Sequence, residues 1–331
     1  MDKTLDPDYG KMGFGVMRFS QNPVVCIIDT EHAGKKVSDV TNLPFDYPIV
    51  SNLADAKALG AEVLVLGTAP SGGRIPDEWM TPLNEAIDSG LSLVNGLHDS
   101  LNDLLGDRLK PNQWIWDARK PAFTPTMASA QASTLNNKRV LLVGTDMAIG
   151  KMTAGLELYR WLIDKGANTS FLATGQIGIV VTGKGIPLDA FKVDHACGAV
   201  ETMVMEAKDS DIVFIEGQGS LLHPGSSATL SLMRGSCATH LIMCHHASHT
   251  TLHSDKSIKI PPMREFIQLN EDLASVCGSL TTAKTVGIAV NTSELDEVQA
   301  MSTIKKLEDE TGLPVTDVVR FGAGKLASEL I

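Results

Sequence analysis

Positive charge is in short supply in this chain. Its 28 Lys and Arg stand against 39 Asp and Glu, a formal net charge of −11. Nucleic acid would need a basic stripe, so that partner is excluded. An anionic ligand must then be held by local positive potential, which raises the interest of each loop Arg or Lys. Long apolar runs are missing too. No stretch approaches the ~18 uninterrupted apolar residues of a membrane span, and residues 1–18 lack the apolar core of a secretion signal. No membrane partner is expected, and the expected location is the cytoplasm. The five cysteines (Cys26, Cys197, Cys237, Cys244, Cys277) are scattered, odd in number and lack a CxxC pair. They read as reduced, mostly buried thiols, and with no zinc-type spacing no metal is expected. There is no internal repeat and no low-complexity tract.

What is present suits a globular α/β protein. At 331 residues the chain exceeds the ~250–300 over which a single core keeps growing, so two domains are expected. The reading is a Rossmann-like domain over 1–110, a strap over 111–138 and a P-loop-like domain over 139–331. In the first, residues 24–28, 62–66 and 91–94 read as strands, alternating with helical patterns at 53–59, 77–90 and 97–105. That order implies a small parallel, Rossmann-like sheet. No GxGxxG follows its first strand, so a dinucleotide site there is not expected. Pro111, Pro121 and Pro125 interrupt the periodicity of the strap, within which Trp114 and Trp116 suggest one buried edge strand. Beyond it, strands at 139–143, 169–173, 212–215, 239–243 and 286–290 alternate with helices at 151–165, 198–208 and 294–310, a doubly wound parallel sheet. Each strand delivers polar residues at its carboxyl end, where such sheets bind ligands.

The most informative stretch joins an apolar strand to a glycine-bounded loop ending in lysine: Gly144, Thr145, Asp146, Met147, Ala148, Ile149, Gly150, Lys151, Met152, Thr153. Backbone N–H groups and the first turn of a helix point at an anion in such a loop, and the lysine adds charge. A lysine there without an anion would be electrostatically unfavourable. The loop departs from a Walker A sequence twice. Residues 145–149 put five residues between the glycines where four are usual, and Met152 separates Lys151 from the hydroxyl of Thr153. One helical residue rotates a side chain by roughly 100°, so Thr153 is not expected at a magnesium-ligating position. The expectation is phosphate binding with weakened Mg-nucleotide chemistry.

Other constellations are less specific. Glu216 follows four apolar residues and precedes two glycines within Gly217-Gln218-Gly219. It could orient a metal, a water or a substrate amine, or fix its loop by accepting backbone N–H bonds. His223, His245, His246, His249 and His253 cluster in sequence. They offer a general base, a metal site or caps for loop amides, and His249 and His253 would share a face if helical. Ser71, Gly72, Gly73 and Arg74 suit a carboxylate, or form a surface turn with a solvated arginine. Asp46, between Pro44 and Pro48, is either a held base or a solvated turn former.

The second half resembles the dethiobiotin-synthetase branch of P-loop proteins through the five-residue cradle and the Glu216-Gly217-Gln218-Gly219 turn. Met152 departs from that branch and puts its ATP-dependent step in doubt. Nearly end to end, the chain more closely resembles the bacterial D-glutamate N-acetyltransferase family. That likeness rests on Gly150-Lys151-Met152-Thr153, Asp117-Ala118-Arg119-Lys120-Pro121 and Glu216-Gly217-Gln218-Gly219-Ser220. It implies acetyl transfer from acetyl-CoA to an acidic amino acid, D-glutamate. A P-loop can hold the phosphates of coenzyme A without magnesium geometry, so residues 144–153 are the expected cosubstrate site. The amine needs a base, Asp46, Glu216 or a histidine such as His246. N–H donors at 217–220 or 175–178 would stabilise the oxyanion, and Ser71 to Arg74 would hold carboxylates. Loops of both domains are expected to face one cleft. A small-molecule partner and a homo-oligomer are expected. The alternative is an ATP- and Mg-dependent ligase or kinase on the same cradle.

Overall fold

The computed structural model describes residues 1–6 and 9–331, except for the side chain of Ser71. The chain forms two compact units. One comprises Met1–Ala122 with Gln176–Ala190, and the other Phe123–Gly175 with Phe191–Ile331.

The first unit contains two small parallel sheets. Strands β1 (Ile27–Ile28) and β2 (Ile49–Val50) pair with each other over a cluster of Met17, Ile27, Val37 and Ile49. Strands β3 (Val63–Val65), β4 (Ser92–Asn95) and β5 (Ile115–Asp117) form the other, in that order. The sequence suggests one sheet running from the first strand through β3 and β4. Instead the first strand is two residues long and takes as partner a β-branched pair behind Pro48, whose carbonyl accepts from Ile27 N at 2.9 Å. The core beneath β3–β5 gathers Leu83, Ala86, Ile87, Leu93, Leu97 and Leu101. The helix read at 97–105 begins only at Leu101, because Ser100 caps it by accepting from Asp103 N at 3.2 Å.

The strap's edge strand exists, but in the opposite phase. Trp114 is 45 % exposed, while Ile115 and Asp117 are buried. A one-residue change of phase exchanges the faces of a strand. Asp117 takes the inner position because it collects donors there: Asn95 Nδ2 (2.8 Å), Ser100 Oγ (2.8 Å), Leu101 N (2.9 Å), and Asn102 through N (3.1 Å) and Nδ2 (2.9 Å). Burial works to raise its pKa, but the Asn95 and Asn102 hydrogen bonds outweigh it and hold the carboxyl below the usual range. Helix Gln176–Thr182, although it follows a strand of the second unit, packs on helix Lys11–Phe19 of the first.

The second unit is a six-stranded, wholly parallel sheet. Its strands are β6 (Lys138–Gly144), β7 (Thr169–Leu172), β8 (Ile212–Ile215), β9 (His240–His246), β10 (Lys284–Asn291) and β11 (Val315–Thr316), in spatial order β11-β10-β9-β6-β8-β7. The strand order reverses beside β6, which places a crevice at the carboxyl ends of β6, β8 and β9. Residues 139–144 of β6 are all buried, the near-continuous apolar pattern of a strand covered on both faces. The helix read from residue 198 spans Val193–Glu206. Gly198 marks a close approach, not a start: a Cβ there would lie 1.6 Å from Thr126 O. The last long helix, Glu297–Thr311, starts three residues later than read, behind a capping box in which Asp296 accepts from Gln299 N at 2.8 Å.

Candidate functional site

The carboxyl end of β6 runs into the cradle. Gly150, at φ 103°, caps the fourteen-residue helix Lys151–Asp164, and Ala148 is also left-handed, at φ 54°. Left-handed turns of this kind, with one residue between them, are the backbone conformations from which anion-binding nests are built. A Cβ placed on Gly150 would meet nothing within 4 Å, so its positive φ, and not crowding, is what calls for glycine. Lys151 is buried, its Nζ donating to Asp146 O at 2.6 Å. Burial lowers its pKa, against the raising influence of Cys244, Asp146 and Glu216. Met152 and Thr153 are half-buried on the first helical turn.

Asp146 ties the cradle to the loop after β9. Its Oδ1 accepts from Met147 N and its Oδ2 from His253 N, both at 2.7 Å. Thr145 and His245 share a buried hydrogen bond of 3.0 Å between Oγ1 and Nδ1. Burial, with His246 and His249 nearby, pulls His245 down to about 4, so its imidazole is neutral at pH 7. Burial likewise pushes the Cys244 thiol up to about 12, which makes it a poor nucleophile.

Glu216 leaves β8 beside this cradle. Its Oε2 accepts from Thr174 N at 2.8 Å and Gly175 N at 3.1 Å, so it does fix its loop. It is also tuned. Burial drives its pKa up to about 7, against the lowering influence of the Thr174 and Gly175 amides and of Lys151. Gly217 is dictated by contact: a Cβ there would lie 1.7 Å from Leu142 O and 3.0 Å from Lys151 Cδ. The Gly175 amide, read as an oxyanion donor, is engaged by Glu216, and Gln176 opens a helix.

The histidines gather without a helix. The segment after β9 is turns and bends, yet the rings of His246 and His249 stack at 4.3 Å and those of His249 and His253 at 5.8 Å. His246 Nδ1 and His249 Nδ1 are buried and have no hydrogen-bond partner among the described residues. Burial lowers the pKa of His246, with Glu294, 4.0 Å from its Nε2, pulling the other way. His223 bonds Ser254 Oγ at 2.8 Å on the surface. Among the described residues, no group of three or more His, Cys, Asp or Glu is placed to hold a metal ion.

Two sequence candidates lie in the first unit. Asp46 is exposed, its carboxylate paired with Lys36 Nζ at 2.9 Å and Ser38 Oγ at 2.8 Å; those two bonds hold its pKa below the usual range. Gly72 and Gly73 form a left-handed turn before Arg74, which is 76 % exposed and paired with Asp99 at 2.8 Å. The side chain of Ser71 lies outside the described residues. Sequence reading missed Cys244 and Thr174 as neighbours of the cradle charges. Their position at the carboxyl ends of strands flanking β6 and β8 was the available signal.

Residues 126–327 match the family described as a domain of unknown function, the P-loop domain DUF1611_C, and residues 30–121 match its Rossmann-like counterpart, DUF1611_N. A crystal structure of a DUF1611 family protein from Anabaena variabilis is 47% identical, with a TM-score of 0.93 over 98% of this chain and 95% of that one. Two relatives named D-glutamate N-acetyltransferase, from Tritonibacter scottomollicae and a Pseudoalteromonas species, are 36% and 33% identical, each match covering 84% of both chains. With both halves matched in chain order, the protein belongs to the DUF1611 family, a Rossmann-like domain followed by a P-loop domain.

Proposed function

We propose that this protein is an N-acetyltransferase that moves an acetyl group from acetyl-CoA to the amine of an acidic amino acid, D-glutamate, giving N-acetyl-D-glutamate. Two relatives so named, 36% and 33% identical across 84% of the chain, carry the proposal. The physical chemistry is compatible with it. Coenzyme A presents a diphosphate and a 3′-phosphate, and the loop of Gly144, Thr145, Asp146, Ala148 and Gly150, leading into a helix N-terminus with the buried Lys151, suits such anions. Met152 and Thr153 begin the helix behind it.

The acceptor arrives as an ammonium and must lose a proton before it attacks. Glu216, titrating at about 7, is partly ionised at neutral pH and suited to receive it. His246, whose pKa burial lowers, is the second candidate. The new bond joins the amine nitrogen to the acetyl carbon as the C–S bond breaks. The second proton, shed as the amide forms, balances the departing thiolate. Backbone N–H groups of residues 217–219 are the proposed donors to the tetrahedral oxyanion, the Ser220 amide being taken by Ser226 Oγ at 3.2 Å.

The test is thiol release from acetyl-CoA with D-glutamate, in EDTA and without ATP. Turnover at the same rate as in magnesium is the expected result. Phosphate or ADP production that requires Mg²⁺ would instead assign the cradle to a ligase or kinase. No thiol release with either D- or L-amino acids would remove acetyl transfer.

A further inference from the structure

The cradle accounts for phosphates but leaves the carboxylates of an acidic acceptor without a cation. Arg74, in the glycine turn, is largely solvated and already matched by Asp99, which also accepts from Ile75 N at 2.8 Å. Exposed ion pairs of that kind contribute little. A second arginine in the same unit is built differently. Arg119 follows β5, and its side chain is only 16 % exposed. Its Nε donates to Gly96 O at 2.7 Å, in the loop that leaves β4. Its Nη1 is ion-paired with Asp189 and lies 3.4 Å from His98 Nε2. Its Nη2 has no hydrogen-bond partner among the described residues.

The surroundings hold this guanidinium in place. Asp117, two residues before it, is locked by its five donors. Asn95 Nδ2 bonds both Asp117 and Asp99 O, and Asn95 Oδ1 accepts from Leu97 N, so the loop carrying Gly96 and His98 is braced. His98 N donates to Gly73 O at 2.8 Å, which brings the glycine turn alongside. These groups occupy the carboxyl ends of the parallel strands β4 and β5, the edge at which such sheets bind ligands. Asp189 comes from elsewhere in the chain, on a short turn, Leu188–Ala190, anchored by buried Leu188; its own side chain is 52 % exposed. A carboxylate delivered by a surface turn onto a braced, half-satisfied guanidinium has the geometry of a stand-in for a ligand's carboxylate.

We infer that Arg119 is the carboxylate-binding residue of the first unit, and that Asp189 holds the place of the acceptor's side-chain or α-carboxylate until an acidic ligand displaces it. A guanidinium with Nη1 and Nη2 available grips a carboxylate through two parallel N–H bonds. This rests on the acyl-transfer proposal for the identity of the acceptor, and not for the carboxylate chemistry.

The experiment measures steady-state kinetics and calorimetric binding of glutarate, a dicarboxylate that cannot be acetylated. Arg119→Gln is expected to raise the KM for D-glutamate about 10- to 100-fold while leaving the KM for acetyl-CoA unchanged, and to lose glutarate binding by a similar factor. Arg119→Lys keeps the charge without the fork and should fall between the two. Asp189→Asn leaves the arginine intact and is expected to tighten glutarate binding and lower the D-glutamate KM several-fold. Unchanged glutarate affinity in folded Arg119→Gln or Arg119→Lys overturns the assignment, as does weaker or unchanged binding in Asp189→Asn. If wild-type protein releases no thiol yet binds glutarate through Arg119, the acyl-transfer proposal fails and the carboxylate site stands.

Discussion

Asp146 and His253 lie 107 residues apart in sequence, and a 2.7 Å hydrogen bond from the His253 amide to Asp146 Oδ2 joins them. The other carboxylate oxygen takes the amide of Met147, so a single buried side chain fixes the cradle and the loop that follows β9.

Replacing Asp146 with Ala orphans both amides. Both bonds are only part-buried and water can take their place, so the variant should lose about 1 kcal/mol in denaturant unfolding, the net worth of an ordinary hydrogen bond. Its KM for acetyl-CoA should also rise, because the cradle and the histidine loop no longer share a strut. A variant with wild-type stability and KM would mean that the bond is incidental.

Acetyl transfer should follow the ionisation of Glu216. Only the carboxylate can accept a proton, and its pKa in the ligand-free protein is about 7, so kcat/KM is expected to rise with pH through a midpoint near 7 and then level off. Glu216→Gln should remove that limb of the profile together with most of the rate. A midpoint near 4.5, the ordinary value, would contradict the buried environment.

The same group makes a stability prediction with a definite sign. Its folded pKa, about 7, lies above the unfolded 4.5, so the folded state binds the extra proton between those values. The stabilisation is therefore complete below pH 4.5 and is lost as pH rises through 7, about 3 kcal/mol across the window. Glu216→Gln cannot titrate. Its stability relative to wild type should improve from pH 4.5 to pH 7 by roughly that amount, read from chemical denaturation at each pH. A constant difference between the two proteins would refute the assignment.

Gly217→Ala should be severe. Its Cβ would overlap a backbone carbonyl, Leu142 O, at 1.7 Å, and neither strand can yield without breaking its ladder. A loss of about 3 kcal/mol or failure to fold is expected, at the upper end of the overpacking range. A soluble variant melting within a few degrees of wild type would show that the β8 exit loop can move.

Much of the architecture was legible from local pattern. Five of the six strands of the second unit announced themselves as apolar runs closed by polar residues, since a strand buried on both faces has no other composition available to it, whereas β11, two residues long, gave no such signal. The cradle was legible because its chemistry is local: a glycine able to adopt positive φ, a lysine behind it and a helix start within eight residues. Where pattern failed, a distant partner decided. Trp114 and Trp116 alternate as a strand should, but the phase was set by donors from Asn95, Ser100 and Asn102 that converge on Asp117. The strand at Ile27 found its partner at Ile49, whose two-residue run is too short to signal itself.

The site divides the same way. Sequence alone determined which loop faces an anion and that a carboxylate stands on a neighbouring strand, because strand order and glycine position follow from short-range sterics. Only the tertiary structure decided what those groups are worth. Asp46 and Glu216 are both acids in glycine- or proline-marked loops. One sits in water with Lys36 beside it and stays below the usual range, while the other is sealed among β7, β8 and the cradle and titrates near neutrality. Desolvation and charge pairing depend on what surrounds a side chain in space, and residues far along the chain supply that.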